Sequence, residues 1–268
     1  MTSVSAAIRQ ALETGEPRAK VMAARAVARD WRLGRLDFAF DCPMPDRPVW
    51  PERLELLAPR FMPKRRKGGS ERGRIALWHA IAHIEFVAID LALDMAGRFG
   101  AEMGRGFVSD FLKVAGDEAM HFAIIERHLD RMGAAYGDLP AHDGLWEAAY
   151  ATRHDVAARL AVVPMVLEAR GLDVTPATIE RVRQAGDRPG VAILERILDD
   201  EIDHVRIGAT HFAAHISSRG ESIEESWKVQ VKRHFSGAVK PPFNDSARLA
   251  AGLSREMYMA VAMPADHS

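Results

Sequence analysis

The chain has 268 residues, 48% hydrophobic and 27% charged, which is the composition of an ordinary soluble globular protein. Its 36 Lys and Arg against 37 Asp and Glu give a net charge of −1, which argues against a general polyanion binder. The single cysteine, Cys42, excludes an intrachain disulfide framework and a cysteine-based zinc site. We expect a cytoplasmic location, because MTSVSAAIRQ does not resemble a secretory signal and no uninterrupted apolar run predicts a membrane span.

The residues favour helix along the whole chain, because Ala, Leu, Arg and Glu dominate and alternating β-branched runs are missing. Residues 1–33 predict one or two amphipathic helices, interrupted near Gly15–Pro17. Residues 41–70 are rich in proline and glycine and predict an extended connector with one short helix. Long helical patterns follow at 71–98, 104–132, 144–171 and 188–218.

Shorter helices complete the predicted architecture. A helix capped by Thr175, with Pro176 in its first turn, is expected between the third and fourth long helices. Another near 221–235 precedes the loop GAVKPPFND and a short C-terminal helix. We therefore predict an all-α protein built on a four-helix bundle. Its parts would be N-terminal helices and a connector packed on the bundle (1–70), the bundle itself (71–220) and a C-terminal helical tail (221–268).

Each long helix places a carboxylate inside its apolar stripe. In the first and third helices this glutamate stands alone, whereas in the second and fourth it begins a Glu-x-x-His motif. Residues three apart lie on the same face of a helix, so each motif can direct both side chains to one place. A buried, isolated carboxylate is costly, so it neutralises, pairs or binds a metal. The six inward residues are Glu85, Glu118, His121, Glu168, Glu201 and His204.

The spacing of these residues repeats, because Glu85 to Glu118 and Glu168 to Glu201 both span 33 positions. The order Glu, Glu-x-x-His, Glu, Glu-x-x-His is that of the ferritin-like di-iron carboxylate bundles. Carboxylates and imidazoles without thiolates suit iron, with manganese as the alternative. We therefore predict that the six residues bind two metal ions. The alternative is that Glu85 and Glu168 pair with buried Arg or His.

Asp117 and Asp200 each directly precede the glutamate of a Glu-x-x-His motif. A ligating histidine usually donates its other ring N–H to a carboxylate or a carbonyl. We predict that Asp117 holds His204 and that Asp200 holds His121, with surface aspartates as the alternative.

Several long stretches resemble the uncharacterised bacterial ferritin-like family known as domain of unknown function 455. The resemblance implies a ferritin-like four-helix core with a metal pair, and it supplies no substrate. The di-iron tRNA hydroxylases are similar more distantly, through ligand order and fold alone. The matching stretches are MPKRRKGGSERGRIALWHAIAHIEFVAIDLALD, DEAMHF, YGDLPAHDGLWEAA, VPMVLEARGLDVTP, ILDDEIDHVRIG and VKPPFND.

The expected function is O2 activation by an iron pair, used to oxidise or hydroxylate an unidentified small molecule. Glu168 and Glu201 are the predicted catalytic residues, because one of them would shift to open a coordination position. A di-iron tRNA-modifying hydroxylase, a ferroxidase or metal-handling protein, and a helical interaction protein with a structural metal are the alternatives. The expected partners are O2, a reductant and the substrate, with RNA and a second copy of the chain as further candidates and no membrane.

Three smaller features accompany this prediction. Pro164, four residues before Glu168, is expected to bend the third helix, which either opens a substrate pocket or merely fits the packing. The basic stretch PKRRKGG is either an anion-binding or RNA-binding segment or a solvated run. Tyr136 lies far from the predicted ligands in sequence, so no radical-storing tyrosine is predicted.

Overall fold

The computed structural model describes residues 2–62 and 70–263, and the basic stretch PKRRKGG at 63–69 lies outside the described residues. The all-α prediction is confirmed, since the described residues are mostly helical with two strands of two residues each. The chain forms two compact units, Met1–Trp146 and Glu147–Ser268. The first two long helices therefore belong to the first unit, and the segments that follow Glu147 belong to the second.

The first unit contains two N-terminal helices and two long ones, as predicted. Pro17 occupies the first turn of the second helix and Glu16 caps it, accepting from the backbone N–H of Arg18 and Ala19. Gly104, with φ of 90°, ends one long helix and begins the next, in a conformation that favours glycine. The elements are β1 (Thr2–Ser3), α1 (Val4–Leu12), α2 (Pro17–Arg32), β2 (Leu36–Asp37), a 3-10 turn (Pro59–Phe61), α3 (Glu71–Met103) and α4 (Arg105–Arg131).

Helix α3 is the core helix of the first unit. Its length and its mean hydropathy of 1.5 over 18 residues would suffice to cross a membrane, but 67% of that window is buried inside the protein. It packs chiefly against α4. The burial of α3 is that of a core helix, and it explains the long apolar stripe of the sequence.

The second unit is more irregular than the sequence predicted. The boundary between the two units falls inside α5 (Gly144–Ala151). A π-helical segment (Val163–Glu168) directly follows α6. The elements that follow α5 are α6 (Val156–Val162), the π-helical segment, α7 (Ala169–Gln184), α8 (Arg188–Ser218), α9 (Ile223–His234), α10 (Asp245–Ala250) and α11 (Arg255–Met259).

The prediction of one long helix over 144–171 is wrong, because α5 ends at Ala151 and a new helix begins at Val156. The hydroxyl of Thr152 donates to the carbonyls of Ala148 and Ala149. Asp155 then caps α6 by accepting from the backbone N–H of Ala158. Side chains that bond to nearby backbone groups compete with helix continuation, and these two residues end one helix and start another.

The prediction of a separate helix beginning at Thr175 is also wrong, because α7 runs through Pro176 to Gln184. A proline inside a helix has no N–H for the carbonyl four residues earlier, which here belongs to Leu172. That carbonyl instead accepts from Nδ2 of Asn244, at 3.1 Å. A partner from a distant loop therefore satisfies the group that the proline leaves free, and the helix continues.

The bend predicted at Pro164 stays a prediction, and Pro164 lies in the π-helical segment. The proline ring packs on Gly208 of α8, where an added Cβ would stand 2.4 Å from the Cβ and Cγ of Pro164. Gly208 therefore leaves the room that the ring occupies. Single π turns inside α-helices are rare and occur frequently at functional sites.

A buried ion pair holds α2 to α3 in the first unit. Lys20 and Asp90 are fully buried, with Nζ 2.6 Å from Oδ1, and Trp50 donates from Nε1 to Oδ2 of Asp90 at 2.8 Å. Burial raises the pKa of Asp90 to about 6, although Lys20 opposes this shift. Burial also lowers the pKa of Lys20. Desolvation therefore outweighs the attraction in both groups, and each partner depends on the other.

We predict that Lys20→Met lowers the free energy of unfolding by about 3–5 kcal/mol, because it leaves the Asp90 carboxylate buried without its cation. The double variant Lys20→Met/Asp90→Asn should recover at least half of this loss, because a neutral amide still accepts from Trp50. Urea unfolding followed by circular dichroism measures both values. Arg9→Met, which breaks an exposed pair with Glu13, is the control and should cost less than about 1 kcal/mol. Equal losses in the single and double variants would contradict the interpretation.

Candidate metal centre

Three of the predicted ligands meet in the interior of the first unit. Glu85 lies on α3, and Glu118 and His121 lie on α4, with ligand atoms that are all within 4.8 Å of one another. Nδ1 of His121 is 3.2 Å from Oε2 of Glu85 and 3.3 Å from Oε2 of Glu118. The three residues are at most 5% exposed. The structure thus brings together a lone glutamate and a Glu-x-x-His pair from two neighbouring helices.

Local helix geometry explains why Glu118 and His121 lie side by side. Glu118 and His121 are three residues apart on α4, so the helix itself directs both side chains to one side. The packing of α4 against α3 then places these two side chains next to Glu85. Fully buried residues flank the ligands, namely Ala82, Ala115, Ala119, Phe86 and Phe122. Small and apolar neighbours of this kind leave the polar groups in a dry surrounding.

The cluster contains two acidic side chains and one basic side chain. Burial lowers the pKa of His121, but its interactions with Glu118 and Glu85 outweigh burial and raise that pKa to about 11. Counted by themselves, one imidazolium and two carboxylates carry a net charge of −1, and negative charge is costly in a protein interior. A divalent cation would supply the missing charge and take the place of the imidazole proton, since ligating histidines are neutral. The donor set therefore fits a metal ion with a preference for oxygen and imidazole ligands.

The second unit contains the other three predicted ligands. His204 and Glu201 lie on α8, with Nδ1 3.6 Å from Oε1, and His204 is buried. Glu168 is the last residue of the π-helical segment and is half-buried. The Glu-x-x-His arrangement thus recurs on α8. That the two sets of three act together on one pair of metal ions stays a prediction.

Asp117 and Asp200 each form an ion pair with a basic residue of their own helix. Lys113 donates from Nζ to Oδ2 of Asp117 at 2.8 Å, and Arg196 donates from Nε to Oδ2 of Asp200 at 2.6 Å. In each case the cation lies four residues earlier on the same helix. The predicted pairings of these aspartates with His204 and His121 stay predictions.

Tyr136 lies much closer to the predicted ligands than its sequence position indicates. Its ring centroid is 5.0 Å from that of Phe86 and 5.2 Å from that of Phe122, which directly follow Glu85 and His121. Its hydroxyl and Nδ1 of His83 are 2.9 Å apart. Because Nε2 of His83 faces the carbonyl of His142 at 3.0 Å, Nε2 carries the proton and Nδ1 accepts from the tyrosine. Sequence reasoning missed this contact, because only tertiary packing brings residues 83, 136 and 142 together.

His79 anchors the loop that follows α4. Its Nε2 accepts from the backbone N–H of Gly137 at 2.9 Å and of Leu139 at 3.4 Å. Burial lowers the pKa of His79 to about 4. Protonation at Nε2 would also remove these two hydrogen bonds, so the folded protein requires the neutral ring.

We predict that this histidine makes stability fall in acid. The pKa of His79 is about 4 in the folded protein and 6.5 when exposed, so the unfolded chain binds more protons in this window. The stability contribution is present above pH 6.5 and is lost as the pH falls towards 4, up to about 3 kcal/mol. Urea unfolding across this range should show a flatter profile for His79→Gln. His154→Gln changes an exposed histidine and should keep the wild-type profile. The interpretation is wrong if His79→Gln also keeps the wild-type pH profile of stability.

The fold and the cluster define an all-α protein with buried Glu and His side chains gathered on two neighbouring helices. The chain belongs to the family described as "Protein of unknown function (DUF455)", whose model matches residues 13–259. A curated relative from Haemophilus influenzae, described as "Uncharacterized protein", is 44% identical over 225 residues, which cover 82% of this chain and 78% of the relative. No solved structure matches the chain. The family resemblance seen in the sequence is confirmed, and its ferritin-like character stays a prediction.

Proposed function

We propose that this protein is a ferritin-like carboxylate protein that binds two metal ions and oxidises an organic substrate with O2. The observation that carries the proposal is the buried convergence of Glu85, Glu118 and His121, a set of carboxylate and imidazole donors that suits a metal ion. The same Glu-x-x-His arrangement recurs on α8, and this supports a second set of ligands of the same type. The proposed ligands are Glu85, Glu118, His121, Glu168, Glu201 and His204.

Iron is the preferred metal, with manganese as the alternative, because both accept mixed carboxylate and imidazole ligands. A bound iron pair would supply reversible redox chemistry and an open coordination position for O2. We expect the protein to work in the cytoplasm, with a reductant that returns the metal to its lower oxidation state.

The six proposed ligands would have different roles. Glu85 and Glu118 are held in the interior, with side chains 6% and 1% exposed. The Glu201 side chain is 13% exposed, and Glu168 is half-buried at the end of a π turn. We infer that Glu85, Glu118 and the two histidines fix the geometry. Glu168 and Glu201 have more room to change their orientation, which is the part we assign to the catalytic carboxylates.

The metal assignment predicts two metal ions per chain after anaerobic purification with Fe(II) and reductant, and O2 uptake by the reduced protein. Glu85→Ala and Glu201→Ala should each lower the metal content below one ion per chain, because each removes a proposed ligand. Glu102→Ala, an exposed position on α3, should keep two ions. Elemental analysis by mass spectrometry measures the content. Metal near zero with both iron and manganese supplied, or full content in Glu85→Ala, would overturn the proposal.

The aspartate assignment predicts that Asp117→Asn weakens metal binding by about 10-fold to 100-fold while the helical content stays unchanged, because a carboxylate that orients a ligating histidine is lost. Lys113→Gln is the matched control, since it breaks the surface ion pair and keeps the carboxylate. Competition with a chelator of known affinity measures both variants. If the two variants bind metal equally well, Asp117 is a surface residue of no consequence for the site.

A further inference from the structure

Two stretches of the sequence, of which the proposed metal site uses only Glu168, meet in the second unit. They are VPMVLEARGLDVTP at 163–176 and VKPPFND at 239–245. Nη1 of Arg170 donates to the carbonyl of Lys240 at 2.8 Å and to that of Pro242 at 3.0 Å. The backbone N–H of Asn244 donates to Oδ1 of Asp173 at 2.9 Å. These bonds fix the loop against α7.

A cavity of about 240 Å³ lies where these two stretches meet. Its apolar wall includes Met165, Val166, Trp227 and Val239, all of which are buried. Trp227 is 1% exposed, and its Nε1 has no hydrogen-bond acceptor among the described residues. A cavity with this lining favours an occupant with an apolar body.

Four charged residues also line the cavity, with an excess of positive charge: Arg170, Asp173, Lys240 and Arg248. Arg248 is buried and binds Asp173 through two bonds, from Nε to Oδ1 at 2.8 Å and from Nη2 to Oδ2 at 2.7 Å. This pair is neutral as a whole. Arg170 and Lys240 add two cations, and Nη1 of Arg170 also lies 3.4 Å from Oδ2 of Asp173, the only carboxylate among the described residues that line the cavity. Lys240 is exposed, and its ammonium has no acceptor within the described part of the chain.

We propose that this cavity binds a small organic anion, a carboxylate joined to an apolar body, with the carboxylate towards Lys240 and Arg170. Arginine and lysine donors recognise carboxylates, and the apolar wall accepts the rest of the molecule. The occupant would contact the three residues that precede Glu168 in the chain, Met165 to Leu167. The inference does not depend on bound metal, because every group it uses belongs to the lining.

The test uses metal-free protein and two fluorinated probes, 4-fluorophenylacetate and its neutral amide. We expect the acid to bind with a dissociation constant of about 1 mM or below, a usual affinity for a ligand of this size. The amide should bind at least about tenfold more weakly, because it lacks the charge that the cations recognise. Fluorine NMR line broadening measures both constants.

Two variants locate the binding. Ala238→Trp, at an exposed lining position in the loop, should fill the cavity and abolish binding, and Lys240→Gln should weaken it about fivefold or more. Lys232→Gln, an exposed lysine on α9, is the control and should bind as the wild type does. Thermal melting checks that all three variants fold.

Three results would overturn the inference: equal binding of the acid and the amide, undiminished binding to Ala238→Trp, or no broadening at about 10 mM probe, a concentration well above the expected constant. Because the protein carries no metal in this experiment, its outcome is separate from that of the metal analysis.

Discussion

Two carboxylates in the interior of the first unit impose the constraint on which the candidate site depends. Glu85 and Glu118 are nearly inaccessible to water, and their oxygens lie close to the same atom of His121. Charges placed in this way need a counter-charge, because the protein interior solvates them poorly. One histidine supplies a single positive charge at most. We base the proposal of a bound cation on this cluster for that reason.

Elsewhere in the first unit, two groups of buried polar side chains are satisfied by hydrogen bonds to one another and to nearby backbone. Lys20, Asp90 and Trp50 form one such group, and Tyr136, His83 and the His142 carbonyl form another. Networks of this type specify a single arrangement of the helices, because a partly satisfied network is costly. They also hold α3 in position, and α3 carries Glu85. The geometry of the ligands therefore depends on polar contacts at several places along one helix.

The second unit uses irregular helices where the first uses regular ones. Pro164 lies in a π-helical segment and fits against Gly208, which has no side chain to obstruct the ring. Pro176 stays inside α7, because Asn244 takes the carbonyl that the proline leaves free. Both devices surround Glu168 in the sequence, and the cavity lies on the same stretch. We interpret the irregularity as the means by which one segment carries Glu168, a proposed ligand, and also lines the cavity.

The sequence by itself determined what depends on local spacing. The periodicity predicted the all-α class and placed α2, α4 and α8 within a few residues of their observed bounds, because helix period and capping are properties of neighbouring residues. It also selected Glu85, Glu118 and His121 as buried acids and a base on two helices, because an ionisable residue inside an apolar stripe is a local signal.

Only the tertiary structure decided the features that join residues far apart in the chain. The Lys20–Asp90 pair and the Tyr136–His83 contact each link positions more than 50 residues apart. The continuity of α7 depends on Asn244, 72 residues beyond Leu172. A local pattern cannot specify such partners, because which distant group reaches a free carbonyl or a buried charge is set by the packing of whole helices.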